Sequence, residues 1–219
     1  MASYNELVDD LCRYTGREPE QDLSFAAAIP KFFENAQRRI ATEIDLSGLH
    51  GEQGPTDFVP GSTLIVRPEN AFTINYVEVR FTGGSFRPLR GTTLAWLKAW
   101  REFQAGRQLP RYYALYDHNN LYVAPVPDGN MQYRLGFRRI DDFLGPAVSS
   151  SYLSRSHPEL VMAAAMVEAV MFGKEDRAEN QTELAKWEGA YQQRKAAAIA
   201  NEVTSNLSAI LIGAQVKQT

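Results

Sequence analysis

The sequence predicts an α+β protein: a helical bundle formed by the N- and C-terminal helices, with an inserted antiparallel β subdomain. Three observations lead there. Apolar residues recur at i, i+3, i+4 and i+7 near both ends of the chain. From Ser62 to Arg139 the pattern changes to two-residue alternation, rich in β-branched and aromatic residues. Gly48, Gly51, Gly54, Pro55 and Pro60 mark the change of texture. The expected divisions are 1–50 and 150–205 for the bundle, 55–145 for the β subdomain with one helix inside it, and 206–219 for a C-terminal arm.

The first helix covers Ser3 to Tyr14, with Tyr4, Leu7, Val8, Leu11 and Tyr14 at helical spacing. Ser3 and Glu6 form a capping box, and Gly16 stops the helix. Asp22, Leu23 and Ser24 lead into a second helix, whose apolar positions are Ala26, Ile29, Phe32, Phe33, Ala36, Ile40 and Ile44. Pro30 falls inside this pattern, so either the helix begins near Ile29 or it kinks. The stretch from Gly48 to Pro60 reads as a glycine-rich loop. Strands are expected at Thr63–Arg67, Ile74–Phe81, Arg111–Tyr116, Leu121–Ala124 and Gln132–Arg138, with a turn at Gly83-Gly84. Leu94, Leu97 and Trp100 predict a helix between Thr92 and Phe103, capped by Thr92 or Thr93.

Ser156, Pro158 and Glu159 read as the cap, first-turn proline and capping-box acid of a helix that Gly173 ends. A longer helix runs from about Arg177 to Thr204, with Leu184, Trp187, Tyr191, Ala198 and Val203 on one side. The run LSAILIGAQV that follows is apolar and lacks clear amphipathy.

The segment PRYYALYDHNNLYVAPVP holds the one arrangement that resembles a site, Asp117 and His118. Asp117, His118, Asn119 and Asn120 also form a turn, because Asp and Asn bond their own backbone and tolerate positive φ. The flanking bursts are then the arms of a hairpin. With the corner at Pro125-Val126-Pro127-Asp128-Gly129, they continue into a three-stranded meander ending at Gln132–Arg138.

Composition removes several function classes. A net charge of -3 gives no basic excess that names nucleic acid as the main partner. One cysteine, Cys12, allows neither an intrachain disulfide nor a paired-cysteine metal site. His50, His118 and His157 stand apart from one another, so no metal is expected. There is no phosphate-binding loop, no dinucleotide fingerprint and no Gly-x-Ser-x-Gly elbow. Asp141 and Asp142 are adjacent and on a strand face opposite ways. No catalytic residue and no cofactor are expected. Met1 to Arg13 lacks the basic start and apolar core of a secretory signal, and no stretch approaches the ~18–20 apolar residues of a membrane helix. A reducing cytoplasm is the expected place of synthesis and assembly.

Two features remain. Arginine is concentrated in the middle of the chain, and Arg87, Arg90, Arg107, Arg111, Arg138 and Arg139 are the candidates for contacts with a neighbouring protein or with DNA. The apolar C-terminal run supplies Leu207, Ile210, Leu211, Ile212 and Val216. Burying its four large aliphatics yields roughly 6–12 kcal/mol. Ordering about ten residues costs on the order of 10–20 kcal/mol. One such tail therefore holds a partner weakly, unless backbone pairing adds to it, whereas many on a ring hold it tightly.

Several stretches, in order, resemble the head-to-tail adaptor proteins of tailed phages, of the tail tubular protein A and related connector type. Ile29–Ile44 resembles their early helix. Phe72–Phe81 followed by Arg87-Pro88-Leu89 resembles their first β segment. Pro110-Arg111-Tyr112-Tyr113-Ala114, followed by Leu121 to Asp128, resembles their hairpin, and Ser156–Gly173 with Trp187–Lys195 their closing helix pair. Each is a packing or turn signature; their order carries the likeness. The resemblance implies a homo-oligomeric ring, commonly dodecameric, at the virion neck. It would lie between a portal protein and a tail or nozzle protein, with genomic DNA passing through the lumen without sequence readout. It implies no catalysis, no cofactor and no membrane. It also implies that terminal arms often dock on the portal; the tail after Thr204 matches no pattern of the family itself, and the C-terminal run is the candidate for such an arm. The alternatives are a hydrolase acting on cell-wall or phage material through Asp117 and His118, and a stand-alone module that binds peptide or nucleic acid.

Overall fold

The computed structural model describes residues 2–102, 106, 108–140, 142–172 and 178–216, with backbone alone for 101, 102, 178–180 and 205–216. The fold is mixed α+β. Among the described residues it has six α-helices and two four-stranded sheets, in which all pairings but one are antiparallel. The chain divides into two compact units, one of Met1–Leu49 with Ile140–Thr219 and one of His50–Arg139.

The helical unit opens with α1 (Tyr4–Thr15). Its capping box forms as the sequence predicts: the Ser3 hydroxyl accepts from the Glu6 amide at 3.3 Å, and the Ser3 amide donates to the Glu6 carboxylate at 2.8 Å. Gly16 ends it at φ 63, where a side chain would be strained. α2 (Leu23–Glu43) starts at Asp22, whose carboxylate accepts from the Phe25 amide at 3.0 Å. Pro30 therefore sits inside the helix and does not begin it. α4 (Tyr152–Ser156) is short, and α5 (Pro158–Met171) follows at once. Here the sequence reading needs correction. Ser156 closes α4 instead of capping α5, and the capping box belongs to Ser151 and Ser154. His157 occupies the cap position of α5 without a side-chain bond; the proline in the first turn stands.

From Leu160 to Val167 every residue of α5 is buried, and α1, α2 and α6 all pack against this helix. An α-helix apolar on all sides needs such a cover. Tyr4 meets Phe33 ring to ring at 5.6 Å, and Tyr14 meets Trp187 at 5.3 Å. Asn35 donates to Glu168 at 2.9 Å, tying α2 to α5. α6 (Ala178–Val216) is the second correction. It passes Thr204 and runs unbroken through the apolar run, a length of about 60 Å at the usual helical rise. Tyr191 and Ala198 are buried on it as expected, while Val203 is exposed.

The β unit consists of two sheets with a shared core. One has the order β1 (His50–Asp57), β8 (Met131–Arg139), β3 (Ala71–Phe81), β4 (Arg87–Pro88). The other has the order β2 (Leu64–Val66), β7 (Asn120–Ala124), β6 (Tyr112–Leu115), β5 (Arg90–Gly91). Val77, Val79, Leu135 and Phe137 from the first face Ile65, Leu121 and Val123 from the second in one apolar cluster. The other face of β7, Tyr122 and Ala124, packs under Leu97 of α3 (Leu94–Glu102). Covered on both faces, β7 reads as an unbroken apolar run.

Two expectations fail in this unit. The segment read as a glycine-rich loop is strand β1, at a sheet edge, with its register shifted between Gln53 and Thr56 around Pro55. An edge strand with a bulge tolerates the proline and glycines that hid it. The meander is also broken. β6 and β7 form the predicted hairpin, but β8 leaves for the other sheet and pairs with β1 and β3. Pro125 and Pro127 stand at that departure, where they donate no ladder bonds. On β8, Gly136 leaves room for the Tyr76 ring opposite, which a Cβ would meet at 2.1 Å.

Candidate functional site

Of the residues singled out in the sequence, the structure gathers Arg87, Arg90 and Arg111 around one depression. The geometry follows from a crossing of the chain between sheets. β4 pairs with β3, setting Arg87 opposite Val79. Leu89 then drops into the core and donates its amide to the Val77 carbonyl at 2.8 Å. Arg90 enters the second sheet, donating its amide to the Arg111 carbonyl at 2.9 Å and pairing in parallel with Tyr112. Leu89 pins the crossing, and the arginines on either side of it are left exposed. Arg111 is set at the head of β6, where its amide donates to the Ala124 carbonyl at 2.9 Å.

The depression has a volume of about 500 Å³, and its apolar lining is Phe81, Pro88, Leu109 and Pro110. Tyr112 forms one wall, backed by edge-on contacts to Trp96 at 5.0 Å and Trp100 at 5.2 Å. Gln108 completes it; among the described residues no carboxylate lines it. Among the described residues, Arg87, Arg90 and Arg111 have no side-chain hydrogen bond or ion pair. Other arginines of the unit are engaged: Arg134 with Glu78 and Glu52, Arg80 with Gln132. Guanidinium stays charged at any ordinary pH. Three without a counter-charge make an acceptor for carboxylate or phosphate.

The remaining candidates lie elsewhere. Arg138 and Arg139 stand opposite His50 and Ala71, at the other end of the β3–β8 ladder from the Phe81–Met131 pair. The ten steps along β3 put that end roughly 30 Å away from the depression. Both are half-buried and engaged within the protein. Arg107 lies outside the described residues. Leu207, Ile210, Leu211, Ile212 and Val216 have helical backbone in α6, and their side chains lie outside the described residues.

Asp117 and His118 form a turn. The Asp117 carboxylate accepts from the Asn119 amide at 2.7 Å and from the Asn120 side chain at 3.0 Å. These bonds, the one from Asn120 first, hold it below the usual carboxylate range. His118 is exposed at the tip. Among the described residues no three His, Cys, Asp or Glu side chains converge on a point fit for a metal ion. No described helix is long and apolar enough to cross a membrane.

A second charged cluster, not foreseen from the sequence, sits in the helical unit. Arg39 of α2 forks onto Glu188 of α6 at 2.6 and 2.9 Å and donates to Glu43 at 2.9 Å. Glu43 also accepts from Tyr191 at 2.9 Å and from Lys195 at 2.8 Å. Burial pushes Glu43 up, but the bonds from Lys195, Arg39 and Tyr191 outweigh it and hold the carboxyl at about 2. Glu188 raises Arg39 above its ordinary range; burial and then Glu43 raise Tyr191. The arginine also lies over the Tyr191 ring at 4.1 Å. Every charge here has a partner, so this cluster ties α2 to α6 and offers no vacancy for a ligand.

The sequence profile of the SU10 adaptor protein family matches residues 2–211. The chain belongs to the SU10 adaptor protein family. The match takes in both units and reaches into the apolar end of α6. SU10 adaptors are structural proteins of bacteriophages, so the unpaired arginines belong to a phage adaptor. No curated protein matches the chain.

Proposed function

We propose that the protein is a head-to-tail adaptor that forms a ring under the portal, joins it to the tail or nozzle protein, and lines the channel through which genomic DNA leaves. The observation that carries this reading is the family match over residues 2–211. The ring is a homo-oligomer, dodecameric as in connectors of the tail tubular protein A type, and sits at the virion neck. The chain joins assembly from the host cytoplasm. The helices from the two chain ends form the bundle that builds the ring, and the β unit points to the tail. The DNA is passed without sequence readout, in keeping with a net charge of -3.

The end of α6, with Leu207, Ile210, Leu211, Ile212 and Val216, is the arm that docks on the portal. Its backbone is helical, so it docks as a helix in a groove and not by strand addition. Each arm binds weakly alone; many held on one ring bind together. The test is co-sedimentation of the full-length protein with the portal protein of the same genome, beside a chain ending at residue 205. The full chain should pellet with portal rings; the truncated chain should keep its cooperative thermal unfolding and stay in the supernatant. Full-length protein that never pellets with the portal contradicts the adaptor reading. A truncated chain that pellets equally well contradicts the arm.

A further inference from the structure

The two units carry opposite charge. Residues 50–139 hold eleven Lys and Arg against seven Asp and Glu, a net of +4. The rest of the chain holds twelve against nineteen, a net of -7. On the positive unit, Arg87, Arg90 and Arg111 surround one depression without an internal partner. Three like charges held together without a counter-ion repel one another. Their arrangement becomes favourable when a partner supplies the anion.

The shape of the depression selects the anion. At about 500 Å³ it falls in the size range of ligand pockets, roughly 300–1,000 Å³, and its lining is mixed, with Phe81, Pro88, Leu109 and Pro110 set among the arginines, Gln108 and Tyr112. A DNA duplex presents its phosphates on a convex rod that bridges such a hollow without filling it. A projecting protein turn fills it, with carboxylates toward the guanidiniums and carbon toward the prolines. Arginine and tyrosine around a partly apolar pocket are also the composition of an interface anchor.

We propose that this depression receives carboxylates from the helical unit of a second copy of the chain. The inference rests on the ring reading above. Charge complementarity chooses the partner: the surplus of acid lies in the helical unit, and the surplus of arginine in the β unit. The turn between α1 and α2 has the required form. Glu18 and Glu20 flank Pro19, and the Glu18 carbonyl accepts from the Gln21 amide at 3.0 Å, so the turn holds its own shape. Both carboxylates are exposed. A contact between the β unit of one copy and the helical unit of the next is head-to-tail, the kind that closes a ring.

The experiment places a photocrosslinker inside the depression. Gln108 lines it and is exposed, so Gln108→p-benzoylphenylalanine reports whatever occupies it. The full-length variant is assembled on portal rings with tail protein and double-stranded DNA present, imaged for collars, irradiated and digested. The expected result is an adduct between two copies, mapped to residues 1–49 or 140–219 of the acceptor. Adducts to DNA, to the portal or to the tail protein overturn the inference while the collars leave the adaptor reading standing. Absence of any copy-to-copy adduct in collared particles does the same. Bare portal rings overturn the adaptor reading itself, and the inference falls with it. As a second readout, the variant Arg87→Gln/Arg90→Gln/Arg111→Gln should lose that adduct at least tenfold while its melting temperature stays unchanged. Retention of the adduct contradicts the role of the arginines.

Discussion

Arginines do opposite things in the two units. In the helical unit Arg39 spends every donor face on Glu188 and Glu43, and its plane on Tyr191. In the β unit Arg87, Arg90 and Arg111 meet no described carboxylate. Paired, an arginine fixes the packing of the elements that it joins. Unpaired and gathered in a hollow, it adds nothing to the fold of its own chain and is available to another. The difference is one of partners and of burial: Arg39 is half-buried among its partners, whereas the three arginines of the depression are exposed.

The largest effect expected from this contrast is on assembly. Arg87→Gln/Arg90→Gln/Arg111→Gln should reduce collared portal rings at least tenfold by particle counting, and raised salt should weaken the wild-type collars in the same direction. Next comes Arg39→Met, which leaves Glu43 and Glu188 facing each other. It should cost about 1.5–3 kcal/mol in urea unfolding, discounted for partial exposure, whereas Arg111→Met should stay within about 0.5 kcal/mol. Equal losses from the two would dissolve the contrast.

The third effect is a pH dependence. Glu43 titrates at about 2 in the fold against an ordinary 4.5. A lowered carboxylate contributes stability that is present above about 4.5 and lost as pH falls through about 2. The contribution is about 1–2 kcal/mol after discount for solvent screening. Glu43→Gln should therefore flatten the fall in melting temperature between pH 5 and pH 2. An unchanged slope would place the acid sensitivity elsewhere. The smallest effect concerns an unpaired group inside the fold. Gln37 is fully buried, and while its amide donates to the Phe33 carbonyl at 3.2 Å, its Oε1 has no partner. Gln37→Leu should raise stability by up to about 1 kcal/mol; a loss would mean that the side-chain amide is needed.

Legibility in the sequence followed the range of the interaction. The Ser3–Glu6 box, the Gly16 stop and the Asp117–Asn120 turn are written within four residues, and all three were readable. Strand β1 was not, because a bulged edge strand needs neither β-branched residues nor alternation. The transfer of β8 to the other sheet depends on pairing with β1 and β3, far away in the chain. The Ser156 cap was misread because a five-residue helix precedes α5 and takes Ser151 and Ser154 as its own box. The depression was half legible. Composition marked its arginines, but the crossing of β4 and β5 that brings Arg87 and Arg90 beside Arg111 carries only one local sign, a single buried Leu89 between them. Of the cluster around Glu43 only Arg39, four residues earlier on α2, is in view in the sequence, where the two read as part of a solvated helix face; Tyr191, Lys195 and Glu188 lie about 150 positions away and turn that face into a contact with α6.

The most direct measurement is negative-stain imaging of the purified protein mixed with the portal protein of its own genome. An adaptor predicts portal rings that carry an added collar on one face. Bare portal rings beside free protein would contradict the adaptor role and move the protein to a tail component further from the head.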